Sequence, residues 1–168
     1  MKPEALLVID VQQGFMRKGA DLVVPAIAAL VKFWPQESLY YLKYKNYPGS
    51  LFTKHLDWHK FMTSDQISLV PEVYVEGAPV FDHFGYHPPP ELMATLKKYK
   101  TVGICGLDTD ACVMAAVFAL WDAEIRPIIL SEYCASSGGV QFHQAALDLM
   151  LRQFGAQSVL RGKIQGAA

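Results

Sequence analysis

Three places along the chain carry side chains able to do covalent or acid–base chemistry. Cys112 stands in Gly106-Leu107-Asp108-Thr109-Asp110-Ala111-Cys112-Val113, where an apolar strand pattern passes into an apolar helical one. A thiol in the first turn of a helix sits at the positive end of the dipole among free N–H groups, which favours thiolate. The same N–H groups can hold a developing oxyanion. The competing reading is a small core residue, because free cysteine is among the most buried side chains. Asp10 closes the aliphatic run Ala5-Leu6-Leu7-Val8-Ile9. A carboxylate there is costly without partners, so it is either an acid–base group or a cap for the next turn. Asp82 and His83 follow a third apolar run that begins at Pro79.

The elements that must position these groups follow from apolar patterning. Ala5 to Ile9 lacks alternation and reads as a strand buried on both faces of a parallel sheet. Asp21 to Phe33 reads as a helix with Pro25 near its first turn, Leu39 to Tyr44 as an aromatic strand, and Asn46 to Ser50 as a loop. A short helix is expected over His55 to Met62, a third strand that starts over Pro79 to Phe81, and irregular chain from Gly85 to Pro90. Helix is expected again over Pro90 to Tyr99, then a strand from Thr101 to Cys105 ending at Gly106. Ala111 to Trp121 contains no charge, which predicts a helix buried nearly all round. Arg126 to Ser131, Gln141 to Phe154 and Ser158 to Leu160 read as strand, helix and strand. Strands alternating with helices predict an α/β fold: one domain over residues 1–168, with a mostly parallel sheet of about six strands flanked by helices. Ligands of such sheets sit outside the carboxyl ends of the strands, where Asp10, the Asp82-His83 pair and Cys112 all fall.

Composition excludes several function classes. Lys and Arg number 15 against 16 Asp and Glu, a net charge of −1, which offers no field for nucleic acid or an anionic membrane. With 52% apolar and 18% charged residues the chain lies far from the signature of disorder. Cys105, Cys112 and Cys134 include no CxxC pair, which argues against a zinc ribbon or a disulfide framework and suits the reducing cytoplasm. No apolar stretch is long enough to span a membrane, and Ala5 to Ile9 is too short for a signal-peptide core. Neither GxGxxG nor GxxxxGKS occurs, so no nucleotide cofactor is expected. His55 and His59 share an i, i+4 spacing that could hold zinc from one helix face, but they read as solvated residues rather than a metal site. Phe15, Phe52, Trp58 and Tyr86 fall in segments that would surround a pocket. They predict an apolar or planar substrate, or else ordinary core packing.

The motifs around the two reactive residues add a further reading. Asp10-Val11-Gln12-Gln13-Gly14-Phe15 fits Asp-x-Gln-x-x-Phe, and Gly106 to Val113 fits Gly-x-x-Thr-x-x-Cys-Val; Ser136, Ser137 and His143 fit a weaker closing pattern. On these residues the chain resembles the isochorismatase-like cysteine hydrolase superfamily, which includes nicotinamidases and N-carbamoylsarcosine amidases. The resemblance implies a Rossmann-like isochorismatase fold and cleavage of a small amide, ureido or related C–N bond. It implies Asp10 as the base, Cys112 as the nucleophile forming a thioester, a cis Leu107–Asp108 peptide, and the N–H groups of Asp108 and Cys112 as oxyanion donors. It also implies a homo-oligomer, dimer or tetramer, and no cofactor.

One departure from the family stands out: His83 occupies the position where relatives carry a catalytic lysine. His83 either serves in its place, as imidazolium or as a neutral base, or a lysine such as Lys43 or Lys45 fills the gap. A catalytically silent member that binds a small ligand or protein partner is the alternative. Nicotinamidases hold a metal through an Asp-x-His and a further His after the second strand; Lys45-Asn46-Tyr47-Pro48-Gly49-Ser50 has no such pattern, so no metal is expected.

Overall fold

A computed structural model of the chain, describing residues 2–162 and 164, is built on one all-parallel sheet. Its strands are β1 (Ala5–Ile9), β2 (Leu39–Tyr44), β3 (Val80–His83), β4 (Thr101–Gly106), β5 (Arg126–Cys134) and β6 (Val159–Leu160). They lie in the order β3-β2-β1-β4-β5-β6. Strand order reverses between β1 and β4, so the crevice expected at such a switch point opens between the ends of the strands that carry Asp10 and lead to Cys112.

The unbroken apolar run of β1 is explained by its neighbours. Leu6 and Val8 pack into one core layer with Ile27, Leu30 and Val31 of helix α1 (Val24–Lys32). Ala5, Leu7 and Ile9 pack into the other, against helices α4 (Pro90–Leu96), α5 (Met114–Asp122) and α6 (Val140–Phe154). All five β1 side chains are fully buried. Burying a Val, Leu or Ile completely contributes about 1.5–3 kcal/mol, which makes this central strand the anchor of both layers. Two short helices, α2 (Leu51–Leu56) and α3 (Ser64–Ile67), lie in the long connection from β2 to β3. Among the described residues no helix is long and apolar enough to cross a membrane.

The element order matches the expectation from patterning, and the differences are local. The helix expected over His55 to Met62 is instead α2, which starts earlier because Ser50 caps it, its hydroxyl accepting from the Thr53 N–H at 3.2 Å. Asp57 ends it in the left-handed conformation, so His55 and His59 do not share a helix face. A 3-10 turn over Ala20–Val23 delays α1, whose Pro25 then fits the first turn. The uncharged segment from Ala111 is not buried all round: a π-helical turn (Thr109–Val113) precedes α5, and Trp121 is 47% exposed. Absence of charge did not distinguish a buried face from an apolar surface.

Gly106 is where the sheet and the crevice meet. Its φ is +114°, and a Cβ built there would fall 2.0 Å from the Ile9 carbonyl oxygen. The ends of β1 and β4 therefore approach more closely than any side chain permits. We expect Gly106→Ala to lose about 2–4 kcal/mol of unfolding free energy in urea titrations, through strain plus a backbone clash. Gly155→Ala, also at positive φ (+81°) but with nothing within 4 Å, should lose only about 1–2 kcal/mol.

Candidate active site

Asp10 is the first residue past β1, and its φ of +50° turns the chain sharply. Its N–H continues the sheet to the Leu42 carbonyl at 2.9 Å, while its own carbonyl accepts from Gln12 N–H at 2.7 Å. The turn buries the carboxylate completely. A buried carboxylate needs donors, and His83 supplies them from the end of β3. His83 Nε2 lies 2.9 Å from Asp10 Oδ1 and 3.1 Å from Oδ2, so it carries the proton and donates to both. His83 itself is 2% exposed, and its Nδ1 has no partner among the described residues.

The second arm of the site is the loop from Gly106 into α5. The Leu107–Asp108 peptide is cis. Leu107 N–H donates to the Ile9 carbonyl at 2.8 Å and Thr109 N–H to the Ala135 carbonyl at 2.9 Å, which ties the loop to both neighbouring strands. Asp108 accepts from Ser137 twice, from the N–H at 2.7 Å and the hydroxyl at 2.6 Å. Thr109 Oγ1 and His143 Nδ1 are hydrogen-bonded at 2.8 Å. Ser137 and His143 of the closing pattern thus hold the loop that presents Cys112. The carboxylate of Asp10, the imidazole of His83 and the thiol of Cys112 all lie within 4.8 Å of one another.

The electrostatics correct one expectation. Burial pushes the Cys112 thiol well above its ordinary range, and the nearby carboxylates of Asp10, Asp108 and Asp110 push it further the same way. Desolvation and negative neighbours outweigh the start of the helix, so the resting group is the thiol and not the thiolate. Cys105 is likewise raised, and Cys134 is pushed up to about 12, both mainly by burial.

Lys43 and Lys45 do not join the site. Both pair with Asp82, Lys43 at 3.5 Å. Alternation along paired strands puts these three on one side and Tyr44 and His83 on the other. Residues 45–50, directly after β2, hold no Asp-x-His. Asp57-Trp58-His59 further along the same connection is one, but both side chains are exposed and no third donor clusters with them among the described residues. Asn46 instead spends its side chain on Trp58, Tyr47 and Ser50. His59 pairs with Asp57 at 2.8 Å.

A cavity of about 240 Å³ opens onto Cys112, and Phe15, Phe52, Trp58 and Tyr86 all line it. Phe52 packs edge-on to Tyr86 at 5.2 Å between ring centres and lies tilted against Trp58 at 5.6 Å. Arg17, Leu56 and Tyr44 also line the cavity, and patterning did not single them out. Gln12, a position inside the Asp-x-Gln-x-x-Phe motif, was given no role. Its side-chain amide accepts from Tyr44 N–H at 2.8 Å and donates to the Tyr44 carbonyl at 2.9 Å and the Ile67 carbonyl at 2.8 Å. It therefore joins the ends of β1 and β2 beneath the cavity. Tyr44 was legible in principle, as the last residue of β2 opposite His83.

The sequence matches the Isochorismatase domain family over residues 4–159. No curated protein matches it. Among solved structures, it is similar to the N-carbamoylsarcosine amidase of Thermoplasma acidophilum, with 22% identity, 98% of this chain and 99% of that one covered, and a TM-score of 0.77. The pyrazinamidase of Pyrococcus horikoshii in complex with zinc superposes with 17% identity, 96% and 100% coverage, and a TM-score of 0.81. The isochorismatase-like hydrolase of Alkaliphilus metalliredigens does so with 19% identity, 92% coverage of each chain, and a TM-score of 0.78. At these identities the structural likeness is one of fold, whereas the domain match spans nearly the whole chain and both motifs. The chain belongs to the isochorismatase-like hydrolase family.

Proposed function

We propose that the chain is a cysteine hydrolase that cleaves a small amide, ureido or related C–N bond through a thioester on Cys112. The observation that carries this reading is the meeting of Asp10, His83 and Cys112, all buried, at the sheet's switch point beside an aromatic cavity.

In this mechanism Asp10 accepts the Cys112 proton as Sγ attacks the substrate carbonyl carbon. The resulting oxyanion is held by the backbone N–H groups of Asp108 and Cys112. Collapse of the tetrahedral intermediate breaks the C–N bond, and Asp10 returns the proton to the leaving nitrogen. A water then gives its proton to Asp10 and attacks the thioester, releasing the acid and the thiol. Because the thiol is neutral at rest, the base must act in the same step as the attack. His83 is the positioning residue: its Nε2–H holds both carboxylate oxygens, from the position where the family pattern has lysine. The silent alternative rested on the missing lysine, and the bond from His83 to Asp10 supports the active reading over it. For the zinc named for the Pyrococcus pyrazinamidase the candidates after β2 here are Asp57 and His59, which are exposed, bonded to each other and joined by no further donor among the described residues, so no step is drawn through a metal.

Cys112→Ala and Asp10→Asn should each lower kcat by roughly 10²–10⁴-fold or more on an amide and ureide panel, with circular dichroism unchanged. Retained turnover in Cys112→Ala would overturn the covalent mechanism. His83→Ala should lower kcat more than it raises KM, and His83→Lys should recover much of the loss; equal loss in both variants would remove the positioning role.

Alkylation of resting Cys112 by iodoacetamide, read by mass spectrometry, should be slow at pH 7 and keep rising above pH 9. The raised thiol yields thiolate only as pH climbs toward its shifted value. A plateau reached below pH 7 would mean a preformed thiolate and would contradict this account.

We also propose a homo-oligomer, dimer or tetramer. Phe118 and Trp121 on α5 are exposed beside Phe154, with ring centres 5.0 and 5.1 Å from it. Light scattering at micromolar concentration should report a multiple of 18.7 kDa; a monomer would refute it.

A further inference from the structure

Four tyrosines of this protein are buried, and three of them have satisfied hydroxyls. Tyr41 donates to the Val73 carbonyl at 2.7 Å and accepts from Val75 N–H at 3.1 Å. Tyr40 pairs with the Tyr99 hydroxyl at 2.9 Å, and Tyr133 accepts from Ile164 N–H at 3.1 Å. Tyr44 is 2% exposed, and its hydroxyl has no partner among the described residues. A buried hydroxyl left unpaired is costly and calls for an explanation.

The position of Tyr44 supplies one. It lines the cavity that opens on Cys112. Its ring is held between Phe52, Trp58, Phe61 and His83, with centres 5.4 to 5.6 Å away, so it cannot swing to find a partner. Burial raises the pKa of its hydroxyl, and the nearby Cys112, Tyr86 and Asp10 raise it further, so the oxygen keeps its proton and remains a donor. Of the charged groups on the cavity wall, Asp108 is committed to Ser137 and Arg17 stands exposed. Trp58 and Tyr86, with their polar Nε1 and Oη atoms, also line the cavity, but those residues are half-buried and exposed. Among the described residues of the wall, Tyr44 Oη is the fully buried polar atom without a partner, and it is fixed in place.

We infer that the Tyr44 hydroxyl is a specificity-determining donor, so that the cavity selects small amides or ureides carrying a second hydrogen-bond acceptor, beyond the scissile carbonyl, on a compact apolar frame. This rests on the hydrolase reading for the bond that is cleaved, but it is testable without turnover. A donor built into an apolar wall rewards the ligand that satisfies it and gives nothing to an isostere without the acceptor.

The probes are cyclohexanecarboxamide and its three ring-oxygen analogues, oxane-2-, oxane-3- and oxane-4-carboxamide, which replace one CH₂ by an acceptor at nearly constant shape. Dissociation constants are measured by ligand-observed NMR on Cys112→Ala protein, with and without Tyr44→Phe. At least one oxane should bind about 5–10-fold more tightly than the carbocycle. Tyr44→Phe should abolish that preference and leave the carbocycle unchanged. The proposal is overturned if no oxane is preferred or no amide binds, or if the preference survives Tyr44→Phe. It is also overturned if all four amides weaken equally, which would place the hydroxyl on the scissile carboxamide itself. In otherwise wild-type protein, Tyr44→Phe should match or exceed the parent Tm; a fall of several degrees would show that the hydroxyl has a structural partner. Because no turnover is read, failure here is distinct from failure of the hydrolase reading, which Cys112→Ala tests by activity.

Discussion

Everything in the site depends on a carboxylate buried without any exposure at the end of the central strand. An ionised group in that position is tolerated only when donors meet it, and the donor comes from two strands away. The β1–β2 register pairs Ile9 with Leu42, and the β2–β3 register pairs Tyr44 with His83. A slip by one residue in either ladder would turn His83 toward the opposite face and leave Asp10 buried alone. Sheet register and site integrity are therefore one constraint. Gln12 reinforces it by bonding both backbone groups of Tyr44.

The thiol arm meets a different demand, which is closeness without charge. Gly106 lets β4 end against the Ile9 carbonyl, and the Ser137 and His143 bonds hold the following loop. That arrangement brings Cys112 next to Asp10 but surrounds it with burial and negative groups, so the thiol stays protonated. The opposing influence, the start of a helix, fades within a turn and does not compensate desolvation on this scale. A neutral thiol beside the Asp10 carboxylate keeps a buried site from carrying two adjacent anions.

Much of this was legible in the sequence, for identifiable reasons. The two-face burial of β1 shows as an unbroken aliphatic run, and the reactive residues show as polar interruptions at strand ends. The helix from Leu51 was missed because its cap, Ser50, sits in a stretch whose Pro48 and Gly49 read as loop. The charge state of Cys112 was misjudged because local position reveals the helix start but neither the depth of burial nor the Asp10 carboxylate that folding brings beside it. The unpaired hydroxyl of Tyr44 lay beyond pattern altogether: an aromatic strand residue looks the same in sequence whether or not its oxygen finds a partner.

The four-residue strand β3 lies at one edge of the sheet, whereas β1 and β4 lie at its centre. Edge elements have one ladder partner and open first in local fluctuations; central ones open last. His83 therefore belongs to one of the two labile edges of the sheet, while Asp10 and the strand leading to Cys112 belong to its persistent centre. Under mild heat or denaturant the Asp10–His83–Cys112 cluster is expected to come apart from one side while the double-layered core still stands.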